Sequence, residues 1–124
     1  MQRILVVEDD ELVRAAVARM LRGHFQVVTA PNGSEALARI ERGETFAAIV
    51  TDVEMPVMDG RTLVERLALR NPSLVDRVLV MTGGPRDPAL AAWVEALSPE
   101  RVLPKPLVAA RLLRALDALL WGWG

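Results

Sequence analysis

Ile4-Leu5-Val6-Val7-Glu8-Asp9-Asp10-Glu11 sets four aliphatic residues directly against four acids, and the rest of the chain repeats the construction with other polar groups. Asp52 stands one residue beyond Ala47-Ala48-Ile49-Val50, Thr82 closes Val78-Leu79-Val80-Met81, and Lys105 closes Val102-Leu103-Pro104. A run that is apolar at every position has no solvated face. It reads as a strand buried on both sides, in a parallel sheet covered by helices. One polar residue after one strand only marks where that strand reaches water. Strands ending in acid, acid, hydroxyl and ammonium point to a shared site.

Outward from these runs, short segments rich in Val and Ile place strands at 3–8, 25–29, 46–51, 76–81 and 101–103, and segments of helical period place five helices at 10–22, 34–42, 60–70, 88–97 and 107–120. Turn and cap residues agree: Asn32-Gly33 opens the second helix, Asn71-Pro72 ends the third, and Asp87-Pro88 supplies an N-cap followed by proline at the first helical position. Asp10 and Glu11 are acids of the kind that suit a helix N-terminus. Crossovers in such a sheet are right-handed, and functional residues gather beyond the carboxyl ends of the strands. The strand order 2-1-3-4-5 would seat Asp9 and Asp52 side by side, flanked by Thr82 and Lys105.

Composition narrows the classes of function. The 124 residues suit one domain, 1–124, with a single continuous core and no linker or repeat. A formal charge of -1 leaves no basic footprint for direct nucleic-acid binding. The absence of cysteine removes disulfides, thiolate metal sites and cysteine nucleophiles. No apolar stretch is long enough for a bilayer span, and the N-terminus runs straight into a strand, so the expected location is cytoplasmic, with no membrane partner. The Met1-Gln2-Arg3 start favours an N-terminal or free-standing domain.

Lys105 is the one lysine beside fourteen arginines, and it lies between Pro104 and Pro106. An ammonium is a compact charge on a slender stem and reaches a single oxygen where a planar guanidinium would not fit. Carboxylates crowded at one sheet edge repel each other by roughly 4 kcal/mol at about 4 Å and an effective dielectric of 20, which a hard divalent cation relieves. Mg²⁺ takes oxygen ligands and joins carboxylates to a phosphate, so Asp9 and Asp52 are its expected ligands, with the Glu54 backbone carbonyl as a third and Glu8 holding a bound water. Asp52 beside Mg²⁺, Lys105 and the Thr82 hydroxyl is equipped to attack phosphorus, helped by a backbone N–H from Val53 or Gly83. A carboxylate is already ionised and needs no general base. The lone His24 reads as a solvated connector.

With these residues in view, the chain resembles the receiver domain of two-component response regulators. The resemblance rests on Ile-Leu-Val-Val-Glu-Asp-Asp (4–10), Thr-Asp-Val-Glu-Met-Pro-Val-Met-Asp-Gly (51–60), Val-Met-Thr-Gly (80–83) and Pro-Lys-Pro (104–106), which together cover essentially the whole chain. It implies a flavodoxin-like, doubly wound five-stranded sheet of order 2-1-3-4-5 flanked by five helices. It also implies phosphorylation of Asp52 by the phosphohistidine of a sensor histidine kinase or phosphotransfer protein, or by a small phosphodonor. Mg²⁺ would sit on Glu8, Asp9, Asp52 and the Glu54 carbonyl, with phosphoryl contacts from Thr82 and Lys105 and a cis bond before Pro106. Two positions depart from the pattern. Three residues before the lysine, such domains usually carry Tyr or Phe and this one has Val102; after Lys-Pro, often Phe, it has Leu107.

Output then belongs to a surface, since the sequence ends at Leu119-Leu120-Trp121-Gly122-Trp123-Gly124 with no second module. On the last helix Val108, Leu112, Leu116 and Leu119 form a stripe at helical spacing, and Leu113, Leu120 and Trp121 widen it. Trp93 lies on the fourth helix. These residues either pack against the sheet or make the fourth helix, last strand and fifth helix an apolar face for an output partner, a linked domain or a dimer mate. Two rivals share the residues. An Mg²⁺-dependent aspartate-nucleophile phosphatase would use Glu54 as its general acid, although the chain has no cap domain. A phosphorylation-independent adaptor would need no convergence of the acids and Lys105.

Overall fold

The architecture is a computed structural model that describes residues 1–122; Trp123 and Gly124 lie outside the described residues. Five parallel strands, β1 (Arg3–Val7), β2 (Gln26–Ala30), β3 (Ala48–Asp52), β4 (Val78–Thr82) and β5 (Val102–Pro104), form one sheet in the order β2-β1-β3-β4-β5. The helices are α1 (Glu11–Leu21), α2 (Gly33–Glu41), α3 (Gly60–Arg70), α4 (Pro72–Val75), α5 (Pro88–Glu95) and α6 (Ala109–Trp121). The expected strand order is the observed one. The helix number differs: where five are expected, the described residues hold six α-helices, because Pro72, restricted in φ to the helical range, starts a single turn immediately after Asn71 stops α3.

The alternation of a strand explains the two-sided core. Ile4 and Val6 of β1, Ala48 and Val50 of β3, and Leu79 and Met81 of β4 face α1 and α6, where they meet Val17, Leu21, Leu112 and Leu116. Leu5 and Val7, Ile49, and Val78 and Val80 face the other way, onto Leu37, Leu63, Leu67, Leu74 and Leu90. Both faces are apolar because helices cover both, which is why these strands carry no polar alternation. Side chains predicted at the caps are in place: Asp10 accepts from the Leu12 and Val13 amides, Asn32 from Glu35, and Asp87 from Ala89. His24 is exposed in the turn after α1.

Strands β2 to β5 begin and end one to two residues later than the apolar runs alone indicate. The ladder, not hydrophobicity, sets the ends: Asp52 pairs with Met81 and Thr82 with Pro104, so both polar residues are the last of their strands. That shift holds them rigidly by the sheet. Beyond β3 the loop to α3 folds back on itself, with the Gly60 amide donating to the Val53 carbonyl at 2.7 Å. A β-carbon on Gly60 would stand 2.5 Å from the Asp52 carbonyl oxygen and 3.1 Å from Val53 Cα, both backbone atoms with nowhere to go. Gly23 has nothing within 4 Å of the same position. Gly60→Ala is therefore expected to lower the unfolding free energy by about 1–3 kcal/mol, while Gly23→Ala stays within about 0.5 kcal/mol of wild type, as read from urea denaturation.

Candidate functional site

Order and register bring the four strand ends together at one edge of the sheet. Glu8 and Asp9 leave β1, Asp52 ends the neighbouring β3, Thr82 ends β4 next to it, and Lys105 leaves β5. A backbone bond from the Lys105 amide to the Thr82 carbonyl, 2.9 Å long, extends the β4–β5 ladder by one step and aims the lysine back across the edge. The Lys105-Pro106 bond is cis, as the resemblance implies. The ammonium crosses two strands, lying 2.6 Å from Glu8 Oε1 and 3.1 Å from Asp52 Oδ2.

Glu8 is 0% and Asp52 7% exposed, whereas Asp9 is open to solvent. Carboxylate oxygens from all three lie within 4.8 Å of one another. Each buried carboxylate already has partners: Glu8 Oε2 accepts from the Asp9 amide at 3.0 Å, and Asp52 Oδ1 from the Val53 amide at 2.8 Å. Burial pushes the Glu8 carboxyl up to about 7; a hydrogen bond with Asp52 and that residue's charge act in the same direction, against the pull of Lys105. Burial pulls Lys105 down, but hydrogen bonds and charge from Glu8 and Asp52 outweigh it and hold the ammonium above its ordinary value. Two buried acids share one cation, so the site carries excess negative charge. That donor set is all oxygen, closely spaced and open on the Asp9 side to water, which fits a hard divalent cation such as Mg²⁺.

The flanking loops complete the edge. Thr82 is half-buried and its Oγ1 accepts from the Gly84 amide at 3.0 Å, leaving the hydroxyl proton free to donate elsewhere. A β-carbon on Gly83 would find only Lys105 Cβ, at 3.8 Å, which places that loop beside the lysine. Val53 is buried with its amide on Asp52. Val57, exposed at the tip of the β3–α3 loop, holds φ at +71°, a left-handed conformation uncommon for a β-branched residue.

Sequence reasoning did not reveal two contacts. The Arg14 guanidinium donates to the Glu8 carbonyl at 2.9 Å, bracing the β1–α1 turn from within α1; a lone arginine one turn into a helix gives no sequence signal for this. The exposed Glu54 carboxylate reaches across to the β4–α5 loop, accepting from the Arg86 amide at 3.3 Å and the Asp87 amide at 3.2 Å. Only the adjacency of β3 and β4 makes it possible.

Of the proposed output residues, Trp93 is half-buried and packs on the core beneath α5, while Leu113 and Leu120 are half-buried on the α6 side. Trp121 is 56% and Val108 55% exposed, so Val108 drops out of the buried stripe that Leu112 and Leu116 continue. Val108 is the N-cap of α6, not part of its inward face. Val102 opens β5, half-buried and paired with Val80. It lines a groove of about 620 Å³ between β5 and α6, together with Leu103, Ala115 and Leu119. The acid cluster and Lys105 take no part in lining it.

An acidic pocket at the carboxyl edge of a 2-1-3-4-5 sheet, answered by one lysine, is the hallmark of a phosphorylation-responsive signalling class. The chain belongs to the response regulator receiver domain family, whose profile matches residues 4–117. A response regulator receiver protein of Anaeromyxobacter is 40% identical over 91% of this chain and 46% of its own length. The receiver protein CpdR of Brucella abortus is 31% identical over 97% of this chain and 98% of its own. Among solved structures, the chemotaxis response regulator CheY4 of Vibrio cholerae superimposes with a TM-score of 0.79 at 30% identity, covering 97% of this chain and 99% of that one. The chain spans about half the length or less of most of the curated relatives it matches. No helix among the described residues is long and apolar enough to cross a membrane.

The raised Glu8 value has a sign that can be tested. Folding strengthens proton binding there, so the stability tied to that proton is fully present below the ordinary value of 4.5 and is lost as pH rises through about 7. Urea unfolding without divalent cations should show stability falling across that window, and Glu8→Gln should flatten the fall.

Proposed function

We propose that this chain is a single receiver domain, 1–124, that accepts a phosphoryl group on Asp52 and does not turn over free phosphomonoesters. The observation that carries the reading is the ammonium of Lys105 seated 2.6 Å from Glu8 and 3.1 Å from Asp52. A cation held there with strained charge balance on its acids is set to meet an incoming phosphoryl oxygen. The Glu54 carboxylate is occupied by the Arg86 and Asp87 amides, which argues against its service as a general acid at Asp52.

In the proposed step an Asp52 carboxylate oxygen attacks the phosphorus of a phosphohistidine on a sensor histidine kinase or phosphotransfer protein. The new O–P bond forms as the P–N bond breaks, and the imidazole leaves with the electron pair. Asp9 and Asp52 would hold Mg²⁺ with the Glu54 carbonyl, and Glu8 would retain one of its waters. When bound, the metal supplies positive charge against the equatorial phosphoryl oxygens. Lys105 exchanges its contact with Asp52 for one of these oxygens. The Thr82 hydroxyl donates to another, and the amides of Val53 and Gly83 are the nearest backbone donors. Preorganised donors suffice here because the attacking carboxylate needs no base.

Output is proposed through the α5–β5–α6 face, toward a partner, a linked domain or a second copy, with Trp93, Leu113, Leu120 and Trp121 as its apolar residues. The cytoplasm is the proposed location, in keeping with a chain free of cysteine. Direct nucleic-acid binding is not proposed, given a formal charge of -1.

Incubation with acetyl phosphate and Mg²⁺, followed by intact mass measurement, should add one phosphoryl group to wild type and none to Asp52→Asn or to wild type in excess chelator. A modified Asp52→Asn protein would refute the assignment. Lys105→Arg keeps the charge but not the slender reach, and is expected to lose most of the phosphorylation-dependent change in intrinsic tryptophan fluorescence.

A further inference from the structure

One polar bridge joins the loop beyond the phosphoacceptor to the output face. Glu54 stands two residues beyond Asp52, on the loop that leaves β3. Its two carboxylate oxygens accept separately from the amides of Arg86 and Asp87, the last two residues before α5. Asp87 is also the N-cap of that helix, its side chain holding the Ala89 amide at 2.8 Å. The Glu54 carboxylate is thus fastened to the entrance of the helix that carries Trp93.

Resting on the receiver reading, we propose that Glu54 is a positioning residue, a latch that holds the β4–α5 loop in its resting place until phosphorylation of Asp52 releases it. The loop from Thr82 to Asp87 has two sets of anchors. At its start Thr82 Oγ1 accepts from the Gly84 amide, and at its end Glu54 takes Arg86 and Asp87. Gly84, whose amide makes the first anchor, holds φ at +93° with nothing within 4 Å of a β-carbon, so no packed side chain pins the segment there. A phosphoryl group on Asp52 accepts from the free hydroxyl proton of Thr82 and from the amide of Gly83, drawing the start of the loop toward β3. It also replaces the single negative charge of the Asp52 carboxylate with the roughly 1.5–2 of a phosphoryl group, two residues before another carboxylate. Both effects work against bonds that are exposed and 3.2–3.3 Å long, hence the first to yield. Release moves the first turn of α5 and with it Trp93, carried on the same helix and packed on the core.

Amide hydrogen exchange resolved across residues 83–89 tests this in wild type, Glu54→Ala and Glu54→Gln, each before and after acetyl phosphate with Mg²⁺, with intact mass recording modification. Glu54 is exposed, and its replacement leaves the core intact. Before phosphorylation, Glu54→Ala should exchange roughly tenfold faster than wild type at Arg86 and Asp87, as loss of hydrogen bonds to a charged group implies, and Glu54→Gln should fall between. After phosphorylation, wild type should approach Glu54→Ala at these two amides, and Glu54→Ala should change little. Equal exchange in wild type and Glu54→Ala before phosphorylation would overturn the latch. So would a phosphorylated wild type whose Arg86 and Asp87 remain protected, a result that leaves the phosphoacceptor reading standing. A wild type that gains no phosphoryl group would overturn that reading and the latch with it.

Discussion

A single ammonium shared by two buried carboxylates governs this site. Glu8 and Asp52 leave neighbouring strands at the same edge, and a charged acid taken out of water is tolerated only with a partner and hydrogen bonds. Lys105 supplies the partner from β5, three places along the sheet from β1, the strand that Glu8 leaves, and the amides of Asp9 and Val53 supply the hydrogen bonds. Because two acids draw on one cation, neutrality is incomplete. The resting site therefore retains an appetite for positive charge, and any anion entering it must come with a metal ion or displace Lys105 from a carboxylate.

The fold supplies the rigidity this arrangement requires. Packing on both faces of the sheet leaves the strand ends little freedom, and the ladder runs right up to Asp52 and Thr82. The loops beyond are held differently. Gly60 lets the β3–α3 loop close tightly under the Asp52 carbonyl, whereas the β4–α5 loop is held by exposed bonds around a left-handed Gly84. One loop is fixed by sterics and the other by weak polar contacts, so a change of charge at Asp52 finds its outlet on the side of α5.

Much of this was legible in the chain. Strands apolar at every position announced a sheet covered on both faces, and Asp10, Asn32 and Asp87 marked helix starts that the structure caps as expected. The polar residues that close the apolar runs proved to share one edge. The extra turn at Pro72–Val75 went unread because four residues are too few for a period. Strand ends shifted because ladder pairing, which needs a neighbour, overrode the local apolar run. Val108 was misplaced for a similar reason: helical spacing counts it with Leu112, but the chain enters α6 only at Ala109.

The sequence by itself determined the fold class and the chemical types at the site, since burial pattern and residue identity are local properties that survive without coordinates. The tertiary structure alone decided which oxygens face Lys105, that Glu8 is sealed and Asp9 open, and that Glu54 turns toward Arg86 and Asp87. Those outcomes depend on the lateral order and register of strands up to 97 residues apart in the chain, and no local preference along a single segment encodes them.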